Sequence, residues 1–213
     1  RARTLPDRAA ARAALGVAPD DRLLALFPGS RAQEIGRHLD PFVATALELQ
    51  QRDPALKVIV SAAPHVSIPA ARCPFPLVHS ASFPLLRAAD AAMCKSGTTT
   101  LEAAVALCPL VVAYRTSRLT YAAARRLVRI PFIGLVNVVA GSEVAPEFVQ
   151  EALVPARVAD ALEPLLRPGA ARTAMIARLT EVRDMLGEAG AAERVAAMAL
   201  SMAGGMEPAR GAE

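Results

Sequence analysis

Leu23-Leu24-Ala25-Leu26-Phe27-Pro28-Gly29-Ser30-Arg31-Ala32-Gln33-Glu34-Ile35 passes from an unbroken apolar run, through a Pro-Gly-Ser turn, into a polar segment that opens a helix. Five successive apolar residues suit a strand buried on both faces, as in parallel sheets. A turn placed directly after such a strand lies at its carboxyl end, where open α/β sheets bind ligands. Gly29 lets backbone approach a ligand closely, and Arg31 offers a fork of donors suited to phosphate. Ser30 has two readings, because Ser30-x-x-Gln33 is also a plain capping box.

Outward from this stretch, four more short apolar runs read as strands: residues 56–60, 76–78, 91–94 and 110–114. Between them lie helical patterns. Leu39, Phe42, Val43, Ala46 and Leu47 share one face of a helix, with Asp40-Pro41 as its cap and first position. Alternating strands and helices imply βαβ units and an α/β fold with a parallel sheet over residues 1–154. Beyond Ser142 no strand signal is visible. Three helices are expected over 155–203, marked by Val158, Leu162, Leu165 and Leu166, then by Met175, Leu179, Val182 and Leu186, then by Val195, Met198 and Met202. Residues 204–213 read as a disordered tail.

A second motif, Lys95-Ser96-Gly97-Thr98-Thr99-Thr100-Leu101-Glu102, follows the run 91–94. A strand, a turn of small hydroxyl residues and a helix start can hold a diphosphate on free N–H groups. Glu102, one turn into that helix, suits two ribose hydroxyls, although Thr99-x-x-Glu102 is equally a capping box. Further on, Asn137 and Glu143 interrupt an apolar stretch and need partners, within the protein or in a ligand. Pro146 reads as the start of a short helix that carries Gln150. In the segment 115–129, Arg115, Arg118, Arg125, Arg126 and Arg129 alternate with apolar residues. That pattern fits an anionic membrane surface and fits an ordinary arginine-rich surface helix equally well.

Composition narrows the function. With 54% hydrophobic and 21% charged residues, the 213-residue chain is globular rather than disordered. Its net charge of +4, with 4% aromatics, argues against a nucleic-acid partner. Cys73, Cys94 and Cys108 are odd in number and widely spaced, and only three histidines occur, so neither a disulfide framework nor a zinc site is expected. The apolar run 103–114 is too short to span a bilayer and contains Pro109. His38 and His65 have no carboxylate partner by sequence and read as structural or surface residues.

Taken together, Phe-Pro-Gly-Ser-Arg-x-x-Glu-Ile (27–35), Ser-Gly-Thr-x-Thr-Leu-Glu (96–102), Pro-Leu-Val-Val-Ala-Tyr-Arg (109–115), Asn-x-x-Ala-Gly (137–141) and Val-x-Pro-Glu-Phe-x-Gln (144–150) resemble the C-terminal half of lipid-A-disaccharide synthases. The resemblance runs from about Leu5 to about Met202. It implies the Rossmann-like C-terminal domain of a GT-B glycosyltransferase, followed by a helical extension. It also implies an inverting transfer without metal or cofactor, consistent with the lack of an Asp-x-Asp motif. The donor would be UDP-2,3-diacylglucosamine and the acceptor 2,3-diacylglucosamine 1-phosphate.

By the same resemblance, Gly29, Ser30, Arg31 and Glu34 line the donor site. Ser96, Gly97 and Thr98 hold the diphosphate, Glu102 binds ribose, and Asn137, Glu143 and Gln150 complete the cleft. Arg31 supports the transition state. The general base is expected in an N-terminal acceptor domain outside this stretch, whose start at Arg1 suggests excision from a longer protein. Ser142 stands where the family often has arginine, which removes a possible charge contact. A cytoplasmic homodimer is implied, peripheral on the inner membrane if the 115–129 segment docks there. Another UDP-sugar transferase or epimerase of the same fold, or a nucleotide-binding module without chemistry, are the alternatives.

Overall fold

The computed structural model describes residues 7–79, 82–117, 121 and 131–187, with a parallel sheet of six strands at its centre. The apolar runs become β1 (Leu23–Phe27), β2 (Lys57–Ser61), β3 (Leu77–Val78), β4 (Ala91–Lys95) and β5 (Leu110–Tyr114). A sixth strand, β6 (Glu147–Val149), pairs with β5 in the register Val112↔Glu147 and Tyr114↔Val149. This corrects the expectation that no strand lies beyond Ser142. Three half-exposed residues at a sheet edge are too few for any periodicity to register.

The strand order is β3-β2-β1-β4-β5-β6. From β1 the chain steps outward to β3, returns to lay β4 on the other side of β1, and steps outward again to β6. Helices α1 (Arg8–Ala14), α2 (Ala32–Arg52), α3 (Ser82–Ala88), α4 (Thr99–Ala106), α5 (Leu135–Ala140), α6 (Pro155–Leu162) and α7 (Ala170–Met185) cover both faces. Alternate side chains of β1 serve the two sides, as the pleat requires. Leu24 and Leu26 pack with Leu39 and Phe42 of α2 and with Val158 and Leu162 of α6. Leu23, Ala25 and Phe27 pack with α1, α3, α4 and α7 through residues such as Ala11, Leu85, Ala103 and Leu179.

Helix α2 begins at Ala32, so Pro41 lies inside it rather than at its start. An interior proline costs about 3 kcal/mol. Burial of Leu39, Phe42, Val43 and Ala46 against the sheet, at about 1.5–3 kcal/mol for each large side chain, offsets that cost. Leu47, expected on the same face, is 42% exposed instead. Neither expected capping box forms: no side-chain cap bond is made at the start of α2 or α4. The third C-terminal helix and the tail from 204 lie outside the described residues.

Asp90, just before β4, ties the amino ends of β1 and β4 together. Its carboxylate accepts from the Leu23 N–H at 2.9 Å and pairs with Arg8 at 2.6 Å, Arg12 at 3.4 Å and Arg172 of α7 at 3.9 Å. The same arginines bond backbone carbonyls nearby, Arg8 to Ala89 and Arg12 to Ala88, so most of the donors turned inward are used.

Candidate functional site

Strands β1 and β4 are neighbours that leave in opposite directions, and a crevice opens where such connections diverge. A cavity of about 450 Å³ lies there, beyond the carboxyl ends of β1, β2 and β4. Gly29, Ser30, Arg31 and Glu34 form one wall, Gly97 and Thr98 another, and residues 62–64 after β2 a third. Of the eleven residues expected at the site, the structure therefore brings these six together around one space.

The wall after β1 depends on glycine. Gly29 has φ +129°, and a Cβ there would stand 2.6 Å from the Glu34 Cβ and 2.7 Å from its Oε2. Glu34, not Gln33, reaches back over the turn: its carboxylate accepts from the Ser30 N–H at 2.9 Å. It also meets the Lys95 ammonium at 3.1 Å and the Arg31 guanidinium at 3.3 Å. Burial pushes the Glu34 carboxyl upward, but the Ser30 N–H, Lys95 and the Arg31 N–H outweigh it, and the group titrates below its ordinary range. Arg31 keeps 79% of its side chain exposed despite its contact with Glu34.

On the wall after β4, Thr100, Leu101 and Glu102 already donate their N–H groups to the Gly97 and Thr98 carbonyls at 3.0–3.1 Å, so the donors left facing a ligand are those at the very start of α4. Thr98 is exposed at this end. Ser96 is engaged elsewhere, its hydroxyl donating to the Ile133 carbonyl at 2.6 Å. Glu102 accepts a hydrogen bond from the Ser82 hydroxyl, and Ser82 lines the cavity. Lys95, the last residue of β4, lines it too, with its ammonium 5.8 Å from the centre of the Tyr114 ring.

Asn137, Glu143 and Gln150 are placed differently from the expectation, and none of them lines the cavity. Asn137 is fully buried and spends its whole amide on its own loop. Nδ2 donates to the Ala145 carbonyl and the Glu147 carboxylate, and Oδ1 accepts from the Val144 and Ala145 N–H groups. The partner that its apolar surroundings demanded is therefore internal. Glu143 is exposed to solvent and needs no partner. Gln150 is not on a helix begun at Pro146; it opens a 3₁₀ turn after β6 at φ +53°, a conformation that favours glycine. Its amide accepts from the Thr116 N–H and donates to the Thr116 carbonyl, which holds the strained residue in place. Ser142 accepts from Arg178 of α7 at 2.6 Å, so an arginine reaches this loop from another helix.

Glu147, missed in the sequence, and His38, read there as a structural or surface residue, organise this region. The Glu147 carboxylate accepts from the N–H groups of Ile133 and Gly134 and from Asn137. His38 is buried: Nδ1 donates to the Glu34 carbonyl at 2.7 Å and Nε2 accepts from the Arg115 N–H at 2.9 Å. That arrangement needs a neutral ring, and burial lowers its pKa. Arg115 itself bonds the carbonyls of Gln150 and Leu153, and the remaining arginines expected at a membrane lie outside the described residues.

All three cysteines are buried and unpaired. Burial raises the Cys94 thiol and pushes Cys108 up to about 12, so these thiols are inert packing groups. Among the described residues no cluster of acidic, histidine or cysteine side chains could hold a metal ion, and no helix is long and apolar enough to cross a membrane.

The six-stranded parallel sheet and its order are those of a Rossmann-like domain of the GT-B glycosyltransferase fold. The calicheamicin glycosyltransferase matches with a TM-score of 0.60 at 20% identity, over 90% of this chain and 46% of its own. A glycosyltransferase of kitacinnamycin matches with a TM-score of 0.57 at 19% identity, over 86% and 44%. The family model described as lipid-A-disaccharide synthetase matches residues 2–199, and the chain belongs to that family. The lipid-A-disaccharide synthase of Sodalis glossinidius (strain morsitans) is 41% identical over 194 residues, covering 85% of this chain and 50% of that protein. That of Myxococcus xanthus (strain DK1622) is 39% identical over 205 residues, covering 92% and 54%. The chain thus spans about half the length of the curated relatives it matches.

Proposed function

We propose that this chain is the donor-binding half of a lipid-A-disaccharide synthase. The whole protein would move 2,3-diacylglucosamine from UDP-2,3-diacylglucosamine to 2,3-diacylglucosamine 1-phosphate, releasing UDP. The observation that carries the reading is the cavity at the divergence of β1 and β4, flanked by Gly29, Ser30 and Arg31 on one side and Gly97 and Thr98 on the other.

In this reading the diphosphate lies between the two turns. Negative charge grows on the β-phosphate as the glycosidic bond breaks, and donors already aimed there favour the transition state over the ground state. Arg31, with its exposed fork, fills that role, while the N–H groups at the very start of α4 supply further donors. Glu102, already accepting from Ser82, takes the ribose hydroxyls. Ser96 acts through the turn it pins to Ile133. Asn137 and Gln150 contribute by fixing the loops behind the site. The base that removes the acceptor proton belongs to the other half of the enzyme. A peripheral place on the inner membrane, through the basic residues 118–129, and a homodimer complete the proposal.

Thermal unfolding with and without UDP tests it, with ADP as control and no added metal. At about 100 times Kd, binding adds roughly 2.7 kcal/mol, or about 5–10 °C for a domain of this size. A shift with UDP and none with ADP supports the proposal. Cooperative unfolding with no UDP shift refutes donor binding by this half alone.

A further inference from the structure

Lys95 and Glu34 both line the cavity, one after β4 and one after β1, and their side chains meet at 3.1 Å. Both remain partly open to it, with 19% and 16% of their side chains exposed. Resting on the donor-site reading, we propose that Lys95 is a diphosphate-binding cation and that Glu34 is its resident counter-anion. Donor binding then exchanges a protein carboxylate for a phosphate.

The geometry around Glu34 is that of an occupied anion site. Donors from three residues converge on this one carboxylate: the Ser30 N–H at 2.9 Å, the Lys95 ammonium at 3.1 Å and the Arg31 guanidinium at 3.3 Å. Charge-assisted donors of this kind serve a phosphate oxygen as well as a carboxylate oxygen. Gly29 is what admits the anion, because any side chain there would stand 2.7 Å from the Glu34 Oε2. The Lys95 ammonium is also close to the second turn, 3.7 Å from where a Cβ on Gly97 would be. It therefore stands between the two turns that flank the cavity.

The pair also solves a problem for the empty site. A lone ammonium with 81% of its surface covered would be costly to desolvate without a partner, and Glu34 supplies one. Glu34 sits in the first turn of α2, so its side chain can turn away without any movement of the helix axis. A diphosphate brings more charge than one carboxylate and can displace it. Uridine brings none and cannot. The exchange therefore makes the site selective for ligands that carry the diphosphate, with Glu34 opposing everything else.

The test is calorimetric titration of the chain with UDP and with uridine, for the wild type, Lys95→Met, Lys95→Arg and Glu34→Gln. In Lys95→Met the preference for UDP over uridine should fall by about tenfold or more, the worth of one charged contact. Lys95→Arg should restore most of it. In Glu34→Gln the amide oxygen can still accept from Ser30 while the charge is gone, so UDP should bind about tenfold more tightly. An unchanged preference in Lys95→Met, or weaker UDP binding in Glu34→Gln, overturns the exchange. If Lys95→Met does not fold, the Glu34→Gln result decides alone. A wild type that binds neither ligand removes the donor-site reading and this proposal together. A wild type that prefers UDP, with that preference unmoved by the substitutions, removes only the exchange.

Discussion

Replacing Asn137 with alanine separates a scaffold residue from a ligand contact. The amide is fully buried and makes four hydrogen bonds at 2.7–2.9 Å, three to the loop between α5 and β6 and one to Glu147 at the start of β6. Alanine would strand the N–H groups of Val144 and Ala145 and the carbonyl of Ala145. Each stranded buried group costs about 1–3 kcal/mol, and partial relaxation of the loop brings the expected loss to about 3–5 kcal/mol. For a domain of this size that lowers the unfolding midpoint by roughly 6–20 °C. The assay is calorimetric unfolding, paired with UDP titration well below the lowered midpoint. The folded fraction should bind UDP within about twofold of the wild type, because Asn137 does not line the cavity. A midpoint within about 2 °C of the wild type, together with UDP binding about tenfold weaker, would refute the scaffold assignment.

Glu102→Gln should weaken UDP and uridine alike, by about tenfold, since the ribose is common to both and a neutral amide loses two charge-assisted bonds. Unchanged affinities with a lower midpoint would assign Glu102 to its Ser82 contact alone. For His38, burial lowers the folded pKa below the ordinary 6.5, so the unfolded chain takes up the proton first. This residue's contribution therefore leaves stability intact above pH 6.5 and erodes it as pH falls from there toward the folded pKa. Urea midpoints followed downward from neutral pH should show that slope, and His38→Gln should flatten it; an identical slope in the variant would exclude His38 as its source.

The parts of the fold that could be read in advance are those where the pattern is long and local. Five buried residues of β1 and a Pro-Gly-Ser turn specify a strand, its carboxyl end and one wall of a cavity without any knowledge of neighbours. The same holds for Gly97 and Thr98 after β4. What could not be read was whatever a distant residue decides. Pro41 resembles a helix start because local chemistry favours that, and only packing of Phe42 and Leu39 carries α2 through it. The apolar neighbours of Asn137 demand a partner, within the protein or in a ligand, and the sequence does not reveal that Val144, Ala145 and Glu147 provide it. Lys95 opens the second motif but has no role that the sequence alone assigns. Its meaning comes from Glu34, 61 positions away in the chain.

The Asp90 knot also sets an order of events for a chain emerging from a ribosome. Arg8 bonds a carboxylate 82 positions later, and Arg172 closes on the same residue from 82 positions beyond it. At synthesis rates of about 5–20 residues per second, the first helix waits roughly 4–16 s for its anchor, and the anchor waits as long again for its last arginine. During the first interval Leu24 and Ala25 have no β4 to pair with, and β1 stands as an unfinished edge. Vectorial synthesis of this domain therefore passes through a stage that favours protection by a chaperone.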